Sequence, residues 1–538
     1  MLESQSSSKS PKRVLIVAYV FPPVGGAGVQ RVTKFVKYLP EFGWEATVLT
    51  TENPSVPLQD ESLLADVPPQ TRVVRARTLE PSYAFKRGFL AGSADTASAQ
   101  TPPSLSRWLA GFCTTGAAIS DEERRSTKAR NHRDKLGGFF VRVASTAFHR
   151  AVTAVTAYAK RFLRGAVNLL LQPDPQVLWN HHAIESGLRI LSQSKHDAIF
   201  VTAPPFSSLL VGAELSRRTG LPLVLDYRDE WGISNAYWEN RQQGSFTRWL
   251  QRAMQRKVVR SASALIATTQ HSAAALRAVA VEAGTRPLVT HIYNGFDADD
   301  LHHGHAPLLD PVIETDTQRE TYKLSYVGTL WNLTSVEPIV RAVKLLSEQS
   351  PDLAARLELH FAGRRTGPQD ELLNQLDGLP CRVTRQPYVD HDEAVKLMQT
   401  SDGLCLLLAD LPDAGRVVPG KLFEYMAVRQ PIFAITPPGE VADLLRDYPL
   451  GFVHSPHDVE GLARRLGDEI ERKRLGVPLP VGLHDVNQFE RRQLTAQLAD
   501  VFNAVTEQRS NEDCHNPLVL TLRVGGVANL LGSAGTPP

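Results

Sequence analysis

The chain has 538 residues, 42% hydrophobic and 22% charged, an ordinary globular composition that excludes a mainly disordered or fibrous protein. One hydrophobic core rarely grows past about 250–300 residues, so at least two domains are expected. The net charge of +2 excludes a general nucleic-acid coat, yet it averages two unlike parts: residues 1–300 hold 36 Lys/Arg against 25 Asp/Glu, and residues 301–538 hold 23 against 32.

Arg13–Tyr19 reads as a strand, Phe21–Gly28 (FPPVGGAG) as a loop, and Val29–Leu39 as a helix with Val32, Phe35, Val36 and Leu39 at helical spacing. Lys12 and Arg13 ahead of an apolar run resemble a short signal peptide, but the glycine turn and helix that follow make the run a buried first strand. Glu45–Thr50 is the next strand, and a strand–helix–strand unit implies a parallel sheet covered by helices. Residues 51–120 are loop-rich, with Pro68-Pro69 and Pro102-Pro103. Residues 124–165 carry eleven Lys/Arg and a single acid, Asp134, interleaved with Phe139, Phe140, Val143, Val152, Val155 and Phe162. Such a stretch fits a membrane surface or a solvated helical pair lying on its domain. It has few aromatics for stacking on nucleic acid.

Asp197–Thr202, Pro222–Tyr227, Ala264–Thr268 and Val289–Ile292 are further strands, with helices near Ser208–Thr219 and from His271. Residues 298–320 lack periodicity and read as a linker. A second series follows: strands at Lys323–Val327, Leu357–Phe361, Cys381–Thr384, Gly403–Leu408 and Pro431–Thr436, with helices near Val336–Ser347, over His391–Thr400 and from Lys421. Residues 485–508 read as an amphipathic helix, and the last thirty residues as a poorly ordered tail. Four scattered cysteines (Cys113, Cys381, Cys405, Cys514) without CxxC spacing fit a reducing compartment rather than a disulfide framework or zinc site. A cytoplasmic location, or one peripheral to the inner face of the membrane, is expected; no apolar run reaches about 18 residues, so no transmembrane helix is expected.

Ligands of open parallel sheets sit beyond the carboxyl ends of the strands, which singles out three segments. Gly25, Gly26 and Gly28 follow the first strand and open a helix, where missing side chains admit a ligand and the helix N-terminus favours negative charge. Arg31 stands where a dinucleotide-binding fingerprint needs its third glycine, although Glu52 lies near the position of the ribose acid; a plain tight turn is the other reading. In PLVLDYRDEW, Arg228, Asp229 and Glu230 lie just past a buried strand, as catalytic or substrate-holding groups or as a surface ion pair. In VPGKLFEYMAVRQP, Lys421 begins a helix after Pro419-Gly420, and Glu424 follows one turn on. A Lys there can neutralise a diphosphate together with the free N–H groups, and the carboxylate can accept from a ribose diol.

With these segments the chain resembles a family 4 type, retaining GT-B glycosyltransferase over about residues 12–60 and 195–508. The resemblance rests on FPPVGGAGVQR, VTAPPFSS, PLVLDYRDEW, IYNGFD, YVGTL, FAGR and above all VPGKLFEYMAVRQP. It implies an α/β protein of two Rossmann-like doubly wound domains facing a central cleft. The first domain, residues 1–305 with an insertion over about 80–180, would bind the acceptor. The second, 321–484, would bind the nucleotide-sugar; the helix 485–508 would cross back to the first, and 509–538 would be a disordered tail. Gly328, Arg364, Gly420, Lys421 and Glu424 are then the expected donor-binding residues, Arg228 and Asp229 the expected catalytic pair, and Gly25, Gly26 and Gly28 the acceptor or phosphate loop.

The resemblance further implies retention by a front-face step without a fixed protein nucleophile, and no metal or other cofactor beyond the nucleotide diphosphate-sugar itself. A glycan or lipid-linked acceptor, peripheral membrane contact through 124–165 and no nucleic-acid partner complete the expectation. Three positions depart from the family's pattern: Arg416 stands where a first Glu precedes Glu424, Thr329 where an Arg often follows the glycine, and Arg228 where many members have His. A nucleotide-sugar-binding subunit without turnover and a nucleotide-sugar epimerase of similar architecture remain open on the sequence alone.

Overall fold

The computed structural model describes residues 11–56, 59–80, 169–232, 244–302, 321–477 and 484–515. Residues 80–172 separate as a unit of their own, and the two sheets described below belong to the other unit. The basic stretch 124–165 lies outside the described residues.

The first sheet has seven parallel strands in the order β3-β2-β1-β4-β5-β6-β7. They are β1 (Lys12–Val17), β2 (Trp44–Thr51), β3 (Arg72–Ala76), β4 (Ala198–Ala203), β5 (Leu223–Tyr227), β6 (Ala264–Ala267) and β7 (Leu288–His291). The helices α1 (Ala27–Tyr38), α2 (Asn180–Gln193), α3 (Ser207–Thr219), α4 (Ser245–Arg260) and α5 (Gln270–Glu282) join them. Val14 of β1 lies opposite Ala46 of β2 on one side and Ala198 of β4 on the other, so the strand order reverses beside β1. Every residue of β4 and β5 is buried, the continuous apolar pattern of strands covered on both faces.

The second sheet has six parallel strands in the order β10-β9-β8-β11-β12-β13. They are β8 (Tyr322–Val327), β9 (Leu357–Ala362), β10 (Arg382–Gln386), β11 (Gly403–Leu407), β12 (Ile432–Ile435) and β13 (Gly451–His454). The helices are α6 (Glu337–Gln349), α7 (Gly367–Asn374), α8 (His391–Gln399), α9 (Lys421–Val428), α10 (Glu440–Asp447) and α11 (Val459–Arg474). The order reverses between β8 and β11, and α9 starts beyond the carboxyl end of β11. Such a switch point leaves a crevice for a ligand.

The last helix, α12 (Arg491–His515), packs on the first domain. Leu498 and Phe502 are fully buried there, and the Phe502 ring lies 5.1 Å from Trp44 and 5.7 Å from Phe200. The two segments that run between the sheets are tied to each other, Phe296 N–H donating to the Phe489 carbonyl at 3.0 Å and Arg491 N–H to the Phe296 carbonyl at 2.7 Å.

Several elements differ from the sequence reading. β3 lies inside the stretch read as loop-rich. α2, α4, α7, α10, α11 and β13 have no counterpart in the sequence reading. Residues 298–302, read as linker, form a short helix. α12 continues through residue 515, past the expected boundary at 508, because nothing between Asn511 and His515 breaks a helix; residues 516–538 lie outside the described residues.

Candidate active site

A cavity of about 210 Å³ opens between the two sheets, with Arg228, Asp229 and Glu230 on one wall and Arg416, Val418 and Gly420 on the other. Asn294, from the segment between the domains, lies in its lining. A wider recess of about 610 Å³ adjoins it, bounded by His271, Asp410, Asp413, Arg416 and Pro438.

Arg228 follows β5, and its placement begins with the pair beneath it. Asp226 lies inside β5 with its side chain 1% exposed, facing the Arg31 guanidinium (2% exposed) at 2.9 Å. Arg31 Nε also donates to both Asp226 oxygens at 3.2 Å, Thr202 Oγ1 donates to Asp226 at 2.8 Å, and Arg31 Nη1 donates to the Tyr293 carbonyl at 2.7 Å. A charge can stay buried when paired and hydrogen-bonded in this way. Above this pair, the Arg228 guanidinium donates to the carbonyls of Gly28 and Pro204. A Cβ on Gly28 would stand 3.0 Å from Arg228 Nη1, so the glycine makes room for arginine before it makes room for a ligand. Burial pulls the Arg228 pKa down, opposed by Asp229 and Asp226. Asp229 is open to the cleft solvent yet walled by protein; the loss of hydration pushes its pKa up, and Arg228 opposes that shift.

Gly26 caps α1 at φ 109°, a conformation that side-chain-bearing residues avoid. Gly25, just before it, is half-buried.

Lys421 begins α9 after Gly420. Its ammonium lies 3.9 Å from the centroid of the Tyr326 ring, a cation–π contact. It also fills the space that a side chain on Gly328 (φ +134°) would take, 2.5 Å from a Cβ built there. Lys421, Gly328 and Gly420 are thus brought together. Glu424, one turn on, makes no ion pair with Lys421 among the described residues. Its charge acts instead on His391 and Arg491. Arg364 is exposed at the end of β9, while its neighbour Arg365 is anchored to Asp370 at 2.7 Å and to the Gln386 carbonyl at 2.7 Å. The carbonyl of Thr329 accepts from Tyr326 Oη at 2.9 Å and Thr334 Oγ1 at 2.7 Å, which fixes the turn after β8.

Arg416 and Glu230, both noted in the sequence, join the two walls together with Thr269, Ser272 and Glu440, which the sequence did not single out. Arg416 Nε pairs with Glu230 at 3.0 Å. The Arg416 carbonyl accepts from Thr269 Oγ1 at 2.8 Å, and Ser272 Oγ donates to Glu230 at 2.6 Å. Burial raises the Glu230 pKa, against the pull of Ser272 and Arg416. Glu440, 3% exposed at the start of α10, accepts from the N–H groups of Gln270 and His271 at 2.6 and 2.8 Å and from Tyr293 Oη at 2.8 Å. It thereby caps α5 of the opposite domain, satisfying donors that a helix start leaves free.

Below the cleft lies a charged knot. Lys34, 3% exposed, contacts Asp66 at 2.7 Å, Asp297 at 2.6 Å and Asp300 at 2.7 Å. Those three carboxylates converge closely enough for a cation, and the Lys34 ammonium already supplies it. His391 stands 3.2 Å from Asp300. Burial opposes its charge, but Asp300 and Glu424 outweigh that and raise its pKa to about 9. Arg491 is buried beside Arg31, and both effects lower its pKa to about 10. On α2, His181, His182 and Glu185 bring ligand atoms within 4.8 Å of one another, with Glu185 already 3.0 Å from Arg189.

Two family descriptions match the chain: a glycosyl transferase 4-like domain over residues 25–291 and a glycosyl transferases group 1 domain over residues 321–471. Solved structures of similar fold include Anabaena Alr3699/HepE in complex with UDP and glucose, at 15% identity, covering 92% of this chain and 100% of that one, with a TM-score of 0.49. The N-terminal domain of Candida albicans trehalose-6-phosphate phosphatase matches at 10% identity, over 94% of this chain and 99% of that one, with a TM-score of 0.51. No curated protein matches the sequence. At such identities the likeness concerns the fold. The matched domains, one on each sheet, and the two facing parallel α/β layers make the chain a glycosyltransferase of the GT-B type.

Proposed function

We propose that the chain transfers a sugar from a nucleotide diphosphate-sugar to a glycan or lipid-linked acceptor, with retention of anomeric configuration, in cell-surface polysaccharide or glycolipid synthesis. The observation that carries this reading is the Lys421 ammonium, seated over Gly328 at the start of α9, with Gly420 lining a cavity whose far wall is Arg228 and Asp229. A cation at the start of a helix suits a leaving diphosphate. In the step itself the bond from the anomeric carbon to the diphosphate oxygen breaks on the same face on which the acceptor oxygen bonds. The acceptor proton passes to the departing diphosphate. Lys421 takes up the charge that develops there, a task that asks for no metal. Glu424 holds the ribose diol, with Arg491 and His391 supporting its charge. Arg364, exposed at the end of β9, is a second cation for the diphosphate. Arg228, fixed between two carbonyls, and Asp229 face the sugar. A lipid-linked acceptor would be met at a membrane surface, and the composition of 124–165 supports that. Among the described residues, no helix is long and apolar enough to cross a membrane.

A binding subunit without turnover and an epimerase are not favoured, since both matched domains are those of glycosyl transferases. The test is a screen of UDP- and GDP-sugars for transfer and hydrolysis, with Lys421→Ala and Glu424→Ala beside the native chain. Loss of one well-placed charge-stabilising group costs about 10²–10³ in turnover. That loss is expected for Lys421→Ala, and weaker nucleotide binding for Glu424→Ala. Donor binding and turnover unchanged in both would refute the assignment.

A further inference from the structure

α4 presents a surface that the transfer reaction does not use. Its sequence, SFTRWLQRAMQRKVVR, contains Arg248, Arg252, Arg256, Lys257 and Arg260 and no acid. One side packs inward through Gln251, Val258 and Val259. At 100° per residue the opposite side gathers Trp249, Arg256 and Arg260, flanked by Phe246, Arg252 and Lys257. Phe246 and Trp249 are 60% and 57% exposed, and their rings stack at 5.7 Å. Among the described residues, none of these cations pairs with an acid. Large aromatic side chains held open to water beside an all-cationic helix face are the makeup of a helix that lies in a bilayer interface. A protein partner would more often be met by mixed charge around an apolar centre.

The topology says where that face points. β5 and β6 are adjacent and parallel, and α4 returns the chain from the end of one to the start of the other. It therefore runs against the strands, with its first turn, and so Phe246 and Trp249, at the edge of the sheet where Arg228 and Asp229 emerge. We propose that α4 docks the protein on an anionic membrane surface, the aromatic pair entering the interface and the cations meeting lipid phosphates. This goes beyond the transfer reading, which holds equally for a soluble acceptor.

The test is co-sedimentation of the full chain with phosphatidylcholine vesicles and with vesicles containing phosphatidylglycerol, alongside donor hydrolysis in vesicle-free buffer. Binding is expected to the anionic vesicles only. Phe246→Ser/Trp249→Ser should weaken it at least tenfold, and Arg252→Gln/Arg256→Gln/Lys257→Gln by about fivefold per charge with a flatter salt dependence. Hydrolysis and thermal melting should not change, because Phe246, Trp249, Arg252 and Lys257 are exposed and Arg256 is only half-buried. Equal sedimentation of native chain and both variants would overturn the proposal. So would a concentration-dependent dimer that the aromatic variant abolishes, without vesicle binding. A failure of hydrolysis alone would count against the transfer reading and leave the docking result readable.

Discussion

Replacing Asp226 by Asn tests whether the first domain is built around its buried ion pair. The substitution keeps the shape and removes the charge. It leaves the Arg31 guanidinium, 2% exposed, facing an amide where it had contacts at 2.9 and 3.2 Å to a carboxylate. Removing one partner of a buried pair costs about 3–5 kcal/mol, mostly as the penalty of the orphaned charge. Arg31 keeps the Tyr293 carbonyl at 2.7 Å and a position over the Phe35 ring at 4.9 Å, which places the expected loss near the lower end, about 3 kcal/mol. Urea unfolding followed by circular dichroism reads it. At a slope of about 3 kcal/mol per M, the midpoint of the first-domain transition should fall by roughly 1 M. The midpoint is the quantity to compare, since two domains can unfold separately. Arg31→Met/Asp226→Leu removes both charges and should recover most of the loss. A midpoint for Asp226→Asn equal to the native one, or a double variant no better than the single, would show that the pair is not what holds β5 to α1.

Two further predictions concern the contacts between the domains. His391 has its pKa raised from 6.5 to about 9, so its pairing with Asp300 contributes fully below pH 6.5 and is lost as pH rises through about 9. The lowered Asp300 pKa adds stability above 3.8 that is lost only as pH falls toward its folded value. The melting temperature should therefore drop more steeply between pH 7 and pH 9.5 in the native chain than in His391→Gln, and parallel curves would refute the pairing. Glu440→Ala strips the acceptor from three donors, each worth about 1–3 kcal/mol when left buried and unpaired. X-ray scattering should then show a larger radius of gyration as the domains part, and an unchanged curve would mean that Glu440 does not hold them.

What could be read from the sequence depended on how local the signal was. β1, β4 and β5 are apolar runs broken by Gly or Pro, and a parallel strand buried on both faces has that appearance. Lys421 was legible because strand, turn and helix start are contiguous around it. β3 is five residues with two arginines between prolines, and nothing in that composition separates it from a loop. α4 was missed because cations occupy so much of it that the apolar period is faint. The long-range polar contacts were out of reach for another reason: the paired Arg31 and Asp226 are 195 residues apart, and Gln270, whose N–H donates to Glu440, is 170 from it. One clue was available, since an Asp inside the buried run PLVLDY must find a cation, and Arg31, already out of place in a glycine fingerprint, was the one left to explain. Arg364 shows the converse. The motif marks that neighbourhood, yet it is Arg365 that the fold has used.

The position of Arg416 suggests how donor binding and domain closure are linked. The segment from Arg416 to Gly420 lines the cavity, and it is gripped from the first domain at its beginning: the guanidinium by Glu230, the carbonyl by Thr269. Five residues on, the chain delivers Lys421. Where Lys421 stands is thus set partly by contacts that exist only when the domains face each other. The partly exposed Arg416–Glu230 pair is worth about 1 kcal/mol at most. The three donors on Glu440 add a few kcal/mol. Such a sum would bias closure without locking it. A donor that holds Lys421 in place would then favour the closed form, and closure would bring Arg228 and Asp229 against the sugar.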